Sequence, residues 1–270
     1  MSGGRRNPPV LKRFGQHFLT DRTVLQAIVD AVAPVSGDTI VEIGPGRGVL
    51  TDELAKYGNP VIAIEIDHLL SENLRKRFES SNVRIVESDV LKTDIASIVA
   101  PPFIVVGNVP YYITTPILFH VLKRPLPERI VLLVQREVAE RIIAPPGSRD
   151  YGALSVNVQA AATAQIIRIV PPGAFSPPPK VDSAVLSIVP RADPLVSDAE
   201  ADRFRAFVQG IFGMRRKQIA NLIRSVANVD ADEAAEVLLR VGIDPKARPE
   251  TLSPLDLVKL MREVNASRDS

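Results

Sequence analysis

The sequence predicts an α/β fold, a doubly wound parallel sheet followed by a small C-terminal all-helical domain. Three observations predict it. Short apolar, β-branched runs at 39–43, 61–67, 83–86 and 103–106 alternate with segments of helical periodicity, the βαβαβ order of a parallel sheet. These runs end in, or give way to, Gly44, Glu65, Asp89 and Asn108, at the strand ends where such sheets bind ligands. Beyond Pro190 the strands stop, and 201–212, 216–226, 231–241 and 254–264 carry helical spacing alone.

Composition sets the bounds. The chain has 270 residues, 46% of them hydrophobic and 24% charged, enough for one large and one small folded domain. The expected divisions are a flexible basic tail at 1–11, a main domain at 12–190, a proline- and charge-marked linker at 191–195 and a helical domain at 196–270. Net charge is only +2, so a polyanion must be met by local patches. The lack of cysteine excludes disulfides, thiolate zinc sites and cysteine nucleophiles, and fits a reducing cytoplasm. No apolar run approaches the ~20 residues of a membrane span, and the N-terminus lacks a signal peptide's apolar region. A soluble, cytoplasmic protein with no membrane partner is expected.

In chain order, Lys12-Arg13-Phe14-Gly15-Gln16-His17-Phe18-Leu19 comes first, a basic, aromatic and amide-rich stretch. Thr20-Asp21 can cap a helix over 22–33, whose Val24, Leu25, Ile28, Val29 and Val32 fall on one face. The first long strand runs straight into Gly44-Pro45-Gly46-Arg47-Gly48. Glycines there let backbone approach a ligand at a helix N-terminus. The spacing is one residue short of the dinucleotide fingerprint, which argues against a pyrophosphate. Glu65, about 20 residues on, is placed to accept from two ribose hydroxyls. Asp89 at the next strand end can accept from an adenine amine.

The most telling stretch is Gly107-Asn108-Val109-Pro110-Tyr111-Tyr112. Taken alone, Asn-x-Pro is turn chemistry. With the other strand ends it suits a flat, neutral, amine-bearing ring. The Asn108 amide oxygen and the Pro110 carbonyl can both accept from an exocyclic amine, while a tyrosine stacks on the ring. Segments 165–170 and 183–189 read as a closing antiparallel pair. Between them the proline-rich 171–182 forms a stiff extended loop that carries Phe175, either a stacking device or a core cap. Met214-Arg215-Arg216-Lys217-Gln218 clusters three cations between two helices. Such clusters are ordinarily solvated, but with Lys12 and Arg13 they can grip phosphates.

Assembled, these stretches closely resemble the rRNA adenine dimethyltransferase family, the KsgA/RsmA type in bacteria. The matching runs are 12–19, 41–46, 64–67, 88–89, 107–111, 151–155, 174–185 and 212–217, nearly the whole chain in the family's order. The resemblance implies a class I (Rossmann-like) methyltransferase sheet, S-adenosylmethionine as methyl donor, no metal, and a helical RNA-binding domain. It implies dimethylation of two adjacent adenosines near the 3′ end of small-subunit rRNA, within a pre-ribosomal 30S-type particle, by a monomer. By position, Glu65 would hold the cofactor ribose and Asp89 its adenine amine, and Gly44 would give close backbone approach. His17 and Leu19 would close over the methionine end, and Asn108 would touch both cofactor and target amine. Pro110 would supply the second acceptor, and Tyr111 and Phe175 would sandwich the target base. Lys12, Arg13, Arg215, Arg216 and Lys217 would meet RNA. Two departures stand out: Asn-Val-Pro-Tyr replaces the common Asn-Leu-Pro-Tyr, and Gln-His-Phe-Leu replaces Gln-Asn-Phe-Leu.

Rival readings share parts of this pattern. An Erm-type enzyme would methylate large-subunit rRNA by the same chemistry, although 175–185 fits the small-subunit branch better. A non-catalytic RNA-binding assembly factor could keep the fold, but the intact Asn108–Tyr111 run and the Glu65/Asp89 pair argue against it. A nicotinamide oxidoreductase is disfavoured by the shortened glycine motif.

Overall fold

A computed structural model describes residues 17–214 and 217–269. Lys12, Arg13, Arg215, Arg216 and the expected tail at 1–11 lie outside the described residues. The chain forms two compact units, one made of the residues up to Ala139 with Gln165–Val189, the other of Glu140–Ala164 with Pro190–Ser270. Residues 140–164, expected within the main domain at 12–190, group with the second unit instead. The cause is packing: Ala144, Tyr151, Val156 and Ala160 share a core with Phe204, Val208 and Leu222 rather than with the sheet. Helical periodicity shows that a segment has an apolar face, not which core that face will meet.

In chain order the elements are β1 (Phe18–Leu19), α1 (Arg22–Val32), β2 (Thr39–Ile43), α2 (Val49–Ala55), β3 (Val61–Glu65), α3 (His68–Arg77) and β4 (Val83–Glu87). Then come β5 (Phe103–Asn108), α4 (Thr114–Val121), β6 (Arg129–Gln135), α5 (Arg136–Ile143), α6 (Ala153–Ala161), β7 (Ala162–Val170), β8 (Phe175–Ser176) and β9 (Ser183–Pro190). Seven strands form one sheet in the order β4-β3-β2-β5-β6-β9-β7. The pairs from β4 to β6 are parallel, and β9 runs antiparallel to β6. The central strands are apolar along their length because helices cover both faces. β5 lies so close to β2 that a Cβ on Gly107 would stand 2.6 Å from the Ile43 carbonyl oxygen. Glycine is what permits that approach.

Local signals act as the sequence suggests. Asp21 caps α1, its Oδ1 accepting from the Thr23 N–H at 2.7 Å, and Val24, Leu25, Ile28, Val29 and Val32 are buried. Asp67, which the sequence reading put in the strand 61–67, instead caps α3 through the N–H groups of Leu69 and Leu70, and β3 ends at Glu65. In the second unit, α7 (Asp198–Gly213), α8 (Ile219–Ala227), α9 (Ala231–Val241) and α10 (Pro254–Asp269) enclose a core of Phe204, Ile211, Leu222, Leu238 and Leu257 with α6. Glu200 closes a capping box with Ser197, and the Arg262 guanidinium holds its carboxyl at about 2, with the Ser197 hydroxyl assisting. Among the described residues no helix is long and apolar enough to cross a membrane.

Candidate active site

In the first unit the strand order reverses between β2 and β5, and a cleft opens at the carboxyl ends of these strands. It encloses about 1190 Å³, counting the space open to solvent at its mouth. Gly44, Glu65 and Asp89 line one half, and Asn108, Pro110 and Tyr111 the other, with His17 and Leu19 bordering the same space.

The first half is built mostly by backbone. Gly44 and Gly46 have φ of 67° and 58°, the left-handed region that favours glycine. Phe18 lies on the turn, 3.1 Å from where a Cβ of Gly46 would be, and the Arg47 guanidinium lies 4.2 Å from the centre of the Phe18 ring. Glu65 is buried at the end of β3. Its Oε2 accepts from the Gly46 N–H at 3.0 Å and its Oε1 from the Asp67 N–H at 2.9 Å. These bonds fix the carboxylate and leave further acceptor capacity on both oxygens. Burial nevertheless holds its pKa above the ordinary carboxylate range, outweighing the two backbone donors. Asp89 accepts from the Leu91 N–H at 3.0 Å through Oδ1, and its Oδ2 has no hydrogen-bond partner among the described residues.

The second half is built by side chains from distant segments. The Asn108 Nδ2 donates to the His17 carbonyl at 2.9 Å. A carbonyl only accepts, so this contact fixes which way the amide faces and turns Oδ1 away from His17. The Pro110 carbonyl accepts from the Ile113 N–H at 3.1 Å, with the Thr114 hydroxyl at 3.4 Å as a weak second donor. Tyr111 opens a 3-10 turn, and its hydroxyl lies 2.6 Å from Ser183 Oγ. Burial raises the phenol's pKa.

Of the two places the sequence leaves open for Phe175, the structure gives the core rather than the stacking position that the resemblance implies. The proline-rich loop is not free at that point, because β8 pairs antiparallel with β1 and sets Phe175 opposite Leu19. The pairing turns the ring inward. It is 4% exposed, in a core with Leu19, Val170 and Val185, and does not line the cleft. Lys217 is exposed between α7 and α8. Two residues escaped the sequence reading. Ser183 gave no signal beyond a hydroxyl opening an apolar strand. Glu42 had a clearer one, an acid inside the buried run Ile40-Val41-Glu42-Ile43; its carboxylate accepts from the Thr51 hydroxyl at 2.6 Å on the cleft floor.

The sequence profile of the ribosomal RNA adenine dimethylase family matches residues 10–266. The chain belongs to that family. Among its relatives, ribosomal RNA small subunit methyltransferase A of Geobacter sulfurreducens is 42% identical over 266 residues, covering 96% of each chain. The protein of that name from Thermosynechococcus vestitus is 42% identical over 256 residues, 92% of this chain and 94% of its own. Among solved structures, a dimethyladenosine transferase from Plasmodium falciparum superposes with a TM-score of 0.81 at 28% identity, covering 93% of this chain and 98% of that one. The 23S rRNA methyltransferase ErmE gives 0.70 at 28% identity, over 92% and 99%. The fold is thus the class I methyltransferase sheet with a helical C-terminal part.

This dimethylase is an enzyme whose cofactor is S-adenosylmethionine, and the donor set of the cleft fits that molecule. Two carboxylates at neighbouring strand ends would accept from ribose hydroxyls (Glu65) and from an adenine amine (Asp89, through its unpartnered Oδ2). The apolar Ile43, Ile66 and Val90 line the same half. Two acids here repel a pyrophosphate and favour a cationic sulfonium ligand. Gly44 leaves the turn's backbone open to the methionine end.

Proposed function

We propose that this chain transfers methyl groups from S-adenosylmethionine to the exocyclic amines of two adjacent adenosines near the 3′ end of small-subunit rRNA, within a pre-ribosomal 30S-type particle in the cytoplasm. The observation that supports this reading is the Asn108 amide fixed by the His17 carbonyl, its Oδ1 without a partner among the described residues, in the cleft that Pro110 and Tyr111 also line. The curated relatives' shared name, ribosomal RNA small subunit methyltransferase A, supports the choice of subunit.

The chemistry follows from these groups. An adenine amine is a weak nucleophile because its lone pair is delocalised into the ring. Hydrogen bonds from its two protons to Asn108 Oδ1 and the Pro110 carbonyl favour the pyramidal form and aim the lone pair at the cofactor half. S-adenosylmethionine, when bound, supplies an electrophilic methyl group that needs no activation by the protein. Once methylated the nitrogen is cationic and loses its proton readily, so no strong base is needed beside Tyr111. Tyr111 stacks one face of the base. At the described geometry Phe175 cannot take the other face unless β8 parts from β1. Lys217, with Arg215, Arg216, Lys12 and Arg13, contacts phosphates; removing the three clustered cations should flatten the slope of log affinity against log salt by about 2 to 3.

The deciding experiment is methyl transfer from radiolabelled S-adenosylmethionine to small ribosomal subunits from a strain lacking the modification, with the product nucleoside identified by mass. Dimethyladenosine in small-subunit rRNA is the expected result. Transfer to large-subunit RNA alone would overturn the choice of substrate, and cofactor binding without transfer would overturn the catalytic reading.

A further inference from the structure

Tyr111 is held at two points by side chains far from it in sequence. Its hydroxyl meets Ser183 Oγ at 2.6 Å, and Ser183 is fully buried at the start of β9. A buried hydroxyl in an apolar strand is costly unless it finds a partner, and Tyr111 is the side-chain partner this one has. Against the face of the Tyr111 ring lies the His17 imidazole, with centroids 5.9 Å apart and planes at 25°. His17 is itself anchored. Its Nδ1 lies 2.8 Å from the Pro177 carbonyl, which only accepts, so Nδ1 carries the hydrogen. Its own carbonyl takes the Asn108 amide. The phenol is therefore tethered at its far end and flanked on one face by an offset imidazole.

We propose that His17 and Ser183 are positioning residues for the target base, acting through Tyr111: Ser183 sets the plane of the ring and His17 flanks one of its faces. The inference rests on the reading of Tyr111 as the ring that stacks the target adenine. It moves the His17 side chain from the cofactor half of the cleft to the base half, while the backbone of His17 remains where the cofactor reading needs it. A platform with a fixed tilt presents the amine to Asn108 and Pro110 in one orientation. A loosened platform would spread that orientation and slow productive attack.

The test is steady-state methyl transfer to subunits lacking the modification, with cofactor affinity by calorimetry and thermal midpoint as checks on folding. Ser183→Ala and His17→Asn should each lower kcat/KM for the subunit by about 3- to 10-fold, with cofactor affinity unchanged. His17→Phe, which keeps a ring but loses the anchor to the Pro177 carbonyl, should fall between the wild type and His17→Asn. In a Tyr111→Phe background, Ser183→Ala should cost nothing further, since the tethered hydroxyl is already gone. In a Tyr111→Ala background neither substitution should add to the loss. Full additive losses in those backgrounds would overturn the proposal, as would His17→Phe falling as far as His17→Asn or weakened cofactor binding. Wild-type kcat/KM in Tyr111→Ala alone would remove the stacking reading, and the proposal with it.

Discussion

The two halves of the cleft are made in different ways. In the cofactor half, Gly44, Glu65 and Asp89 each stand where their own strand ends, and their contacts are to backbone groups of adjacent parallel strands and turns. In the base half, Asn108 reaches the backbone of His17, Tyr111 reaches Ser183, and His17 reaches Pro177, contacts that span 91, 72 and 160 positions in sequence. The first half is rigid because the sheet is rigid. The second depends on β1, β8 and the start of β9 coming together over the cleft. Substitutions in the base half should therefore strike turnover, and substitutions in the cofactor half should strike binding.

The largest break is expected at Asn108. Asn108→Ala frees the His17 carbonyl and, on the proposed mechanism, removes the acceptor that shapes the amine. Turnover should fall by about 10²–10³-fold, the scale for losing one preorganised polar contact to a transition state. Affinity for the subunit should change far less. Single-turnover kinetics beside a filter-binding assay separates the two, and an equal loss in both would make Asn108 a binding residue.

That contrast also marks what the sequence could reveal. The cofactor half was legible because each of its residues follows its own apolar run at a fixed offset, so periodicity locates it. The βαβ order, the cap at Asp21 and the four strand-end markers follow from local chemistry. The base half was legible only as a residue set. Nothing local says that Ser183 will meet Tyr111, or that the His17 ring will lie behind it. For the same reason the sequence left Phe175 open between stacking and core. Prolines around it do specify a stiff extended chain, but pairing with Leu19, which buries the ring, is a long-range event. Segment 140–164 went to the other unit's core because its apolar face could serve either.

In the cofactor half the sharper probe is Glu65→Gln. The amide keeps the shape but turns a donor toward one of two N–H groups, Gly46 or Asp67, that the carboxylate now accepts from. Burying a donor against a donor and losing a ribose acceptor should weaken S-adenosylmethionine binding by about 10- to 100-fold. Turnover at saturating cofactor should stay within a few-fold of the wild type. A variant that binds normally but turns over slowly would place Glu65 in the chemistry and erase the distinction between the halves.

The smallest effect on turnover, and the one that separates structure from function within the cofactor half, belongs to Glu42. It is 1% exposed, and burial pushes its carboxyl from an ordinary 4.5 up to about 8, against the Thr51 hydroxyl that favours the charged form. The folded protein thus keeps a proton that the unfolded chain releases near 4.5. Ionisation of the unfolded state then draws stability down as pH rises from about 4.5 to about 8, with a slope of up to about 1.4 kcal/mol per pH unit. Glu42→Gln is neutral throughout and still offers Thr51 an acceptor. Denaturation midpoints for both proteins, taken from pH 5 to pH 8.5, should diverge steadily in favour of the variant and run parallel above pH 8. Glu65, whose pKa is also raised, tilts both curves, and its charge is a lesser cause of the Glu42 shift after burial. Parallel curves across the whole range would mean that Glu42 is ionised in the folded state. The cleft floor would then carry a fixed negative charge beneath the site of a cationic cofactor, and Glu42 would join Glu65 and Asp89 as a binding residue rather than a buried, neutral hydrogen-bonding one.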